Sequence, residues 1–341
     1  MSDRFPMPMP FGWFAIGYTD ELAVGDVKNI HYFDRDMVLF RTELGELGLT
    51  DPYCPHLGAH LGYGGEVTGE SIRCPFHHWS YDNKGFVTDV PYAKQIPPKA
   101  QGKSCLKVYP VLEKSQVIWA WYHPEEVEPF FSVIENPEVA DPDWTPLERY
   151  QWTYNSNPQE IAENGIDVAH FKYIHKAEAV PEGESTYEGV IRRTRAFGPR
   201  VVIDKNGKEK TIMGGVEVTQ NGAGQKWTLL KGVVDRLLLV LVTPIDDETV
   251  EMRFAFSSLN YEKGSYEYNA VREGVAATIS AERGLEADIR IWRNKIHLRE
   301  PLLCDGDGAI MQFRKYFEQF YVDGPYGDEP EKLKEIKSSV A

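Results

Sequence analysis

The chain has little cysteine and no long apolar run. Its 341 residues include four cysteines, and its longest aliphatic run covers residues 237–242. A helix needs roughly 20 apolar residues to cross a bilayer. The first residues also lack a basic segment followed by an apolar one, the pattern of a secretory signal. A disulfide-stapled secreted scaffold is therefore excluded, and we expect a cytoplasmic protein with reduced thiols and no membrane span.

Positive charge is also scarce. Lysine and arginine number 37 against 52 aspartates and glutamates, which gives a net charge of −15. Such an excess of negative charge repels nucleic-acid phosphates and anionic lipid, so we expect neither as a partner. The length of 341 residues suffices for two domains with separate cores.

Two of the cysteines are followed closely by histidine. Cys54-Pro-His56 and Cys74-Pro-Phe-His77 supply two thiolates and two imidazoles from two short segments. A [2Fe–2S] cluster of the Rieske type, with two Cys ligands on one iron and two His ligands on the other, needs this ligand set. The alternative is a Cys2His2 zinc site, but such sites usually open with two cysteines separated by two to four residues. The pattern favours the cluster.

The first third of the chain has the pattern of short strands. Segments 30–33 and 37–40 flank a turn at 34–36, and residues 117–121 form another β-rich run. The segment from 123 to 143 is rich in proline and glutamate, which is typical of an inter-domain connection. We therefore predict a cluster domain at 8–125 and a second domain at 126–341.

The second domain mixes helices and strands. A helix is predicted over 158–171, with Asn157 as N-cap, and others over 268–296 and 311–321. Between 187 and 260 the pattern indicates strands, with hairpin turns at Asn206-Gly207, at Asn221-Gly222 and around 246–247. The predicted fold class is α+β with an antiparallel sheet.

A second set of polar residues follows Asn157. Asn164, Asp167 and His170 recur every three residues and so share a helix face, and His175 comes five residues later. His170 and His175 lie about 140° apart on an ideal helix, so both can bind one metal only if the helix ends or bulges between them. Two histidines and a carboxylate leave positions open on ferrous iron for O2 and substrate.

The two motifs in this order resemble Rieske non-haem iron oxygenases, and the resemblance extends over nearly the whole chain. Segment 241–246 (Leu-Val-Thr-Pro-Ile-Asp) and segment 318–323 (Glu-Gln-Phe-Tyr-Val-Asp) are similar to the oxygenase components of 3-ketosteroid 9α-hydroxylases. The resemblance implies an N-terminal all-β Rieske domain and a C-terminal helix-grip domain, with a cavity between its helices and its sheet. It also implies a homotrimer.

The resemblance also implies roles for individual residues. Asp307, in an Asp-Gly pair ahead of the 318–323 segment, matches the third ligand of a mononuclear Fe(II), and Asp305 is the alternative. Asp167 matches the carboxylate that bridges the cluster ligand of one subunit and the iron ligand of its neighbour, and Asn164 belongs to the same catalytic group. We expect an aromatic-rich substrate pocket formed by Phe171, Trp227, Phe256 and Phe313.

The implied activity is that of a terminal oxygenase that uses O2 to hydroxylate a C–H bond of an apolar, 3-ketosteroid-like substrate. Electrons would come from NAD(P)H through a reductase with flavin and an iron–sulfur centre, with or without a ferredoxin. Desaturation of a sterol, oxidation of an aromatic substrate and demethylation remain open. A pure electron carrier is disfavoured, because Ala59, Phe76 and Trp79 stand where respiratory Rieske proteins carry two cysteines and a serine.

Overall fold

The chain folds into two compact units. A computed structural model describes residues 4–177, 180 and 182–324. The first unit is Trp13–Ser132, and the second combines Met1–Gly12 with Val133–Ala341. The predicted domains, a cluster domain at 8–125 and a catalytic domain at 126–341, are defined by the metal centre that each would hold, and this assignment stays a prediction. Residues 325–341 of the second predicted domain lie outside the described part of the chain.

The first unit is built from three small antiparallel sheets, with strand orders β1-β10-β9, β2-β3-β4 and β5-β6-β7-β8. The strands are β1 Gly12–Tyr18, β2 Val27–Tyr32, β3 Arg35–Arg41, β4 Leu47–Thr50, β5 Glu66–Thr68, β6 Ser71–Arg73, β7 Ser80–Asp82, β8 Val87–Asp89, β9 Val111–Lys114 and β10 Val117–Tyr122, with a 3-10 turn at Thr19–Glu21. The strand pair expected over 30–40 is present as β2 and β3, and the β-rich run 117–121 is part of β10.

The β2–β3 turn lies one residue earlier than predicted. Phe33 and Asp34 form it, with φ of 59° and 55°. Positive φ at both central residues is the condition for the type I′ turn, whose twist matches that of the flanking strands. The apolar core of the unit includes Val38, Phe40 and Ile72 together with Cys54 and Cys74, so the thiols lie inside packed structure.

The second unit contains a seven-stranded antiparallel sheet of order β11-β17-β16-β15-β14-β13-β12. Its strands are β11 Glu148–Asn155, β12 Glu182–Glu188, β13 Ile191–Ile203, β14 Glu209–Asn221, β15 Gln225–Lys231, β16 Arg236–Pro244 and β17 Thr249–Ser258. The predicted hairpin turns are confirmed, with Gly207 and Gly222 at φ of 75° and 68°. The observed α+β architecture confirms the predicted class.

Two of the predicted helices are interrupted. The helices are α1 Pro137–Ala140, α2 Pro158–Glu163, α3 Val168–Tyr173, α4 Tyr266–Ile279, α5 Leu285–Trp292 and α6 Ile310–Phe317, with a 3-10 turn at Glu318–Phe320. The predicted helix 158–171 breaks because Asp167 caps a new helix, its carboxylate accepting from the His170 N–H at 3.2 Å. The predicted helix 268–296 divides at 280–284. No helix among the described residues is long and apolar enough to cross a membrane.

Helices α2, α4 and α5 cover one face of this sheet. Leu238 and Phe254 on the sheet belong to the same buried cluster as Val275 of α4 and Ile289 of α5. Each fully buried aliphatic side chain contributes about 1.5–3 kcal/mol. This packing fixes α2, α4 and α5 relative to the strands beneath them.

Candidate metal centres and substrate pocket

The Cys54–His56 and Cys74–His77 segments are two tight loops of the first unit. The Cys54 N–H donates to the Ala59 carbonyl at 2.8 Å, and the Cys54 carbonyl accepts from Gly58 at 2.9 Å. In the second loop the Cys74 N–H donates to the Trp79 carbonyl at 2.8 Å. Each loop therefore closes on its own cysteine, and the following histidine lies within the closed loop.

The four side chains form a sulfur pair and an imidazole pair. Cys54 and Cys74 are 1% exposed, and the Tyr81 hydroxyl lies 3.1 Å from the Cys54 sulfur. Burial raises the pKa of the Cys54 thiol, although the Tyr81 hydroxyl partly opposes this. The His56 and His77 rings are 4.9 Å apart. This pairing suits a cluster with sulfur ligands on one iron and nitrogen ligands on the other.

One buried nitrogen fits a metal-ligand role directly. His77 Nδ1 is buried and has no hydrogen-bond partner among the described residues. A buried polar atom without a partner is destabilising unless something binds it. His56 is held by stacking on Trp79 at 4.5 Å, and the Trp79 indole N–H donates to the Tyr92 hydroxyl at 2.7 Å. The donor set therefore fits a Rieske cluster.

A second group of possible ligands lies in the second unit. His170, His175 and Asp288 have donor atoms within 4.8 Å of one another. His170 lies on α3, His175 follows just after that helix ends at Tyr173, and Asp288 lies on α5. The predicted break between the two histidines is confirmed. The trio is the two-histidine, one-carboxylate arrangement that binds non-haem iron.

Hydrogen bonds to backbone carbonyls orient both imidazoles. His170 Nδ1 donates to the carbonyl of Asp167, and His175 Nδ1 donates to that of Arg283 at 2.9 Å. In the neutral tautomer, Nε2 of each ring is then the lone-pair nitrogen. His175 Nε2 lies 3.3 Å from Asp288 Oδ2, so two lone pairs meet unless a proton or a metal ion lies between them.

The pKa values of the two histidines shift in opposite directions. Burial lowers the pKa of His170. Burial also acts to lower the pKa of His175, but the hydrogen bond and the charge of Asp288 outweigh it and raise that pKa. The Asp288 carboxylate therefore stabilises positive charge next to His175, either a proton or a metal ion.

Asn164 and Asp167 lie beside His170, as the sequence predicts. The Asn164 amide Nδ2 lies 3.2 Å from His170 Nε2 and donates to it. The Asp167 carboxylate caps α3 by accepting from the His170 backbone N–H. The Asp167 backbone carbonyl accepts from Nδ1 of the His170 ring. Both residues thus position His170, although they precede α3 rather than share a continuous helix with it.

The structure places Asp307 outside the group of metal-ligand candidates. Asp307 Oδ2 accepts from the Cys304 N–H at 2.6 Å and so closes its own turn. It lines a separate cavity of about 250 Å³ together with Glu163 and Arg314. Among the described residues the trio contains neither Asp307 nor Asp305, and Asp288 takes the place that sequence reasoning gave to Asp307.

Asp288 does carry a sequence signal that our prediction missed. Leu285, Asp288, Ile289 and Trp292 recur with helical spacing and are all buried. A lone acidic residue within the apolar stripe of a helix needs a partner, because burying an unpaired carboxylate is strongly unfavourable. That pattern points to Asp288.

A cavity of about 480 Å³ opens beside the trio, which is within the range of small-molecule sites. The sheet and helices α4 and α5 contribute most of its walls. Phe171 lines it as predicted, but Trp227, Phe256 and Phe313 do not. Trp227 follows Lys226 on β15, and because Lys226 faces the cavity, Trp227 faces the other side of the sheet. Phe256 lines a different cavity, and Phe313 of α6 is fully buried elsewhere. Other lining side chains are Ile161, Val216, Val218, Thr228, Leu230, Leu238, Val240, Phe254, Leu285 and Trp292.

Two family models match the chain. The Rieske [2Fe-2S] domain matches residues 12–110, and the 3-Ketosteroid 9alpha-hydroxylase C-terminal domain matches residues 120–321. The second match covers more than half of the chain. Together the two matches cover the residues of both candidate metal centres.

Curated relatives and solved structures agree with these matches. A probable 3-ketosteroid-9-alpha-monooxygenase oxygenase component of Rhodococcus rhodochrous is 28% identical over 92% of this chain and 80% of its own. A cholesterol 7-desaturase of Bombyx mori is 30% identical over 94% of this chain and 71% of its own. Dicamba monooxygenase bound to dicamba superposes with a TM-score of 0.69 at 16% identity, over 98% of this chain and 99% of that one. The last comparison shows the fold.

Proposed function

Because the chain belongs to the Rieske oxygenase family of the steroid monooxygenase type, we propose that it is a terminal oxygenase that hydroxylates a C–H bond of a 3-ketosteroid-like substrate. Cys54, His56, Cys74 and His77 hold the [2Fe–2S] cluster in this proposal. His170, His175 and Asp288 hold Fe(II). When bound, the cluster supplies electrons one at a time and the iron binds and activates O2.

The protein's own contribution is to orient these groups. The carbonyls of Asp167 and Arg283 keep the His170 and His175 Nε2 atoms turned toward Asp288. Asn164 Nδ2 lies 3.2 Å from His170 Nε2, so Asn164 lies on the metal-binding side of that ring. The Asp167 carboxylate is the candidate bridge for electron transfer between neighbouring subunits of a homotrimer.

The observation that carries the proposal is the position of the trio at the wall of the 480 Å³ cavity. His170, His175 and Asp288 all line it, so a substrate in the cavity lies next to the metal. The neighbouring wall is largely aliphatic and aromatic, which suits an apolar polycyclic body. We propose a flavin and iron–sulfur reductase as electron donor, fed by NAD(P)H, because relatives are named as oxygenase components.

Desaturation of a sterol is the second candidate reaction. It is favoured by the 30% identity with cholesterol 7-desaturase over 94% of this chain. Hydroxylation and desaturation both begin with attack on a C–H bond near the iron, so the position of the substrate in the cavity decides between them.

A single-turnover assay tests the proposal. Protein reduced chemically under anaerobic conditions is mixed with O2 and one substrate, and the products are identified by mass. Hydroxylated 3-ketosteroid is the expected product, a sterol that has lost two hydrogens supports the second candidate, and oxygenated monocyclic aromatics with no steroid product would contradict both. Asp288→Ala, with its cluster intact, is the control that should form no product.

A further inference from the structure

The substrate cavity carries more positive charge than a neutral substrate requires. Arg200, Arg236 and Arg283 all line it, together with Lys226, whose pKa is lowered to about 7 by burial, and Asp288 is the one acidic residue in its lining among the described residues. In the proposed function Asp288 is committed to the iron. The cationic side chains then have no anion within the cavity.

Arg236 is the most informative of these cations. It begins β16, and its Cα pairs with that of Leu230 on β15. Its Nε and Nη1 atoms are buried and have no hydrogen-bond partner among the described residues. Burying guanidinium N–H groups without acceptors costs free energy that a bound anion would recover.

Helix α4 has a glycine, Gly274, next to the Arg236 guanidinium. A Cβ atom built on Gly274 of α4 would lie 1.7 Å from Arg236 Nη1. Glycine inside a helix destabilises it by roughly 1 kcal/mol relative to alanine, so the Arg236 head group occupies space that a side chain of α4 would otherwise fill.

Within the part of the chain that the structure describes, no acidic side chain forms an ion pair with Arg236. Asp235, the preceding residue, is engaged with Lys231 at 2.6 Å. Burial lowers the pKa of Arg236, and the charge of Arg200 lowers it further. Two cations thus share one end of the cavity.

That end is remote from the metal. Lys226, which interacts with Asp288, lies four residues along β15 from Leu230. Four residues of strand span about 13 Å. Arg236 pairs with Leu230, so it stands about that far along the sheet from Lys226; the charge of Asp288 acts on the pKa of Lys226, whereas among the described residues only the charge of Arg200 acts on that of Arg236.

We propose that the substrate carries a carboxylate, which Arg236 binds with help from Arg200 at the end of the cavity remote from the iron. The planar guanidinium matches a carboxylate with two parallel N–H bonds. The apolar body of the substrate then extends toward His170 and His175. The site of oxidation rests on the proposed function, whereas the recognition of the acid does not.

Binding measured without turnover tests the proposal. The probes are a 3-ketosteroid whose side chain ends in a carboxylic acid and the methyl ester of the same compound, titrated calorimetrically into the anaerobic holoprotein. Wild type is expected to bind the acid roughly 10- to 100-fold more tightly than the ester, the range of a charge-assisted hydrogen bond. Arg236→Met should remove that preference and leave the affinity for the ester unchanged. Arg236→Lys should keep part of it.

The matched control is Arg193→Met, which removes an exposed arginine of the same sheet that pairs with Glu188 and does not line the cavity. It should leave the preference for the acid unchanged. Equal binding of acid and ester by wild type would overturn the proposal, as would an Arg236→Met variant that keeps the preference or loses both affinities equally. An Arg236-dependent preference without oxygenated product in single turnover would support this inference while contradicting the proposed function.

Discussion

The two candidate metal centres are assembled in opposite ways. The cluster site takes its four ligands from two loops, each of which closes on its own cysteine through hydrogen bonds such as that from Cys54 to Ala59. The iron site takes His170 from α3, His175 from the turn after it, and Asp288 from α5, which lies more than a hundred residues further along the chain. Local loops preserve the first arrangement, whereas only the packing of helices on the sheet preserves the second.

This difference determines how each site should fail. A cluster ligand can be lost without disturbing the second unit, because the two units have separate cores. The iron site instead depends on α3 and α5 keeping their places. Four substitutions, ordered by expected effect, probe this comparison.

Cys74→Ser should have the largest effect, because it removes one of two thiolates that hold one iron of the cluster. We expect loss of acid-labile sulfide and of the Rieske electron paramagnetic resonance signal, and no electron delivery from a reductase. Iron bound in the second unit should remain. Sulfide content close to that of wild type would contradict the assignment.

Asp288→Ala should abolish iron binding at the second site and keep the cluster. Activity should fall by at least about 100-fold, since loss of a supporting residue alone typically lowers metal affinity 10- to 100-fold. Iron and sulfide analysis on the same sample measures both centres. Asp307→Asn is the matched control and should retain all of its iron; iron loss there with full retention in Asp288→Ala would restore Asp307 as the ligand.

Asp167→Asn should keep both metals, because asparagine still caps α3 and the backbone carbonyl still orients His170. Removing the carboxylate charge should slow substrate-coupled oxidation of the cluster by roughly 10- to 100-fold. Stopped-flow absorbance of pre-reduced protein mixed with O2 and substrate gives this rate. A wild-type rate would show that the carboxylate does not relay electrons.

Tyr81→Phe should have the smallest effect. The Tyr81 hydroxyl lies 3.1 Å from the Cys54 sulfur and can donate to it, which stabilises the reduced cluster. A hydrogen bond worth about 1 kcal/mol corresponds to roughly 40 mV for one electron, so the potential should fall by about that amount. Redox titration measures it, and an unchanged or higher potential would contradict a role for Tyr81.

Sequence reasoning succeeded where the chemistry is local. Spacing alone groups Cys54, His56, Cys74 and His77, which the structure brings together in two neighbouring loops, while their role as cluster ligands stays a prediction. The break after His170 follows from the angle between the two histidines on a helix. Asn206-Gly207 and Asn221-Gly222 mark their hairpins because positive φ suits glycine. Each of these conclusions depends on residues within a few positions of each other.

It failed where distant segments meet. Asp307 matched a sequence pattern, but its carboxylate closes its own turn at Cys304, and tertiary packing brings Asp288 to the histidines instead. Three of the four aromatic residues predicted to line the substrate pocket do not line it. Trp227 and Phe313 belong to buried surroundings away from the cavity, because strand alternation and helix packing decide which face a side chain occupies.

The break between α4 and α5 has a consequence for redesign of this protein. The six residues 283–288, which span the end of the break and the first turn of α5, supply the Arg283 carbonyl that holds His175 and the carboxylate of Asp288. It is also crowded: a Cβ on Gly284 would lie 2.5 Å from the Thr278 carbonyl. Mutant libraries that aim to change substrate preference should therefore vary the inward positions of β14 to β16 and leave 283–288 intact. Variants changed in that hexapeptide would lose the iron and with it the activity, so a library screen would discard them before any new substrate specificity could be detected.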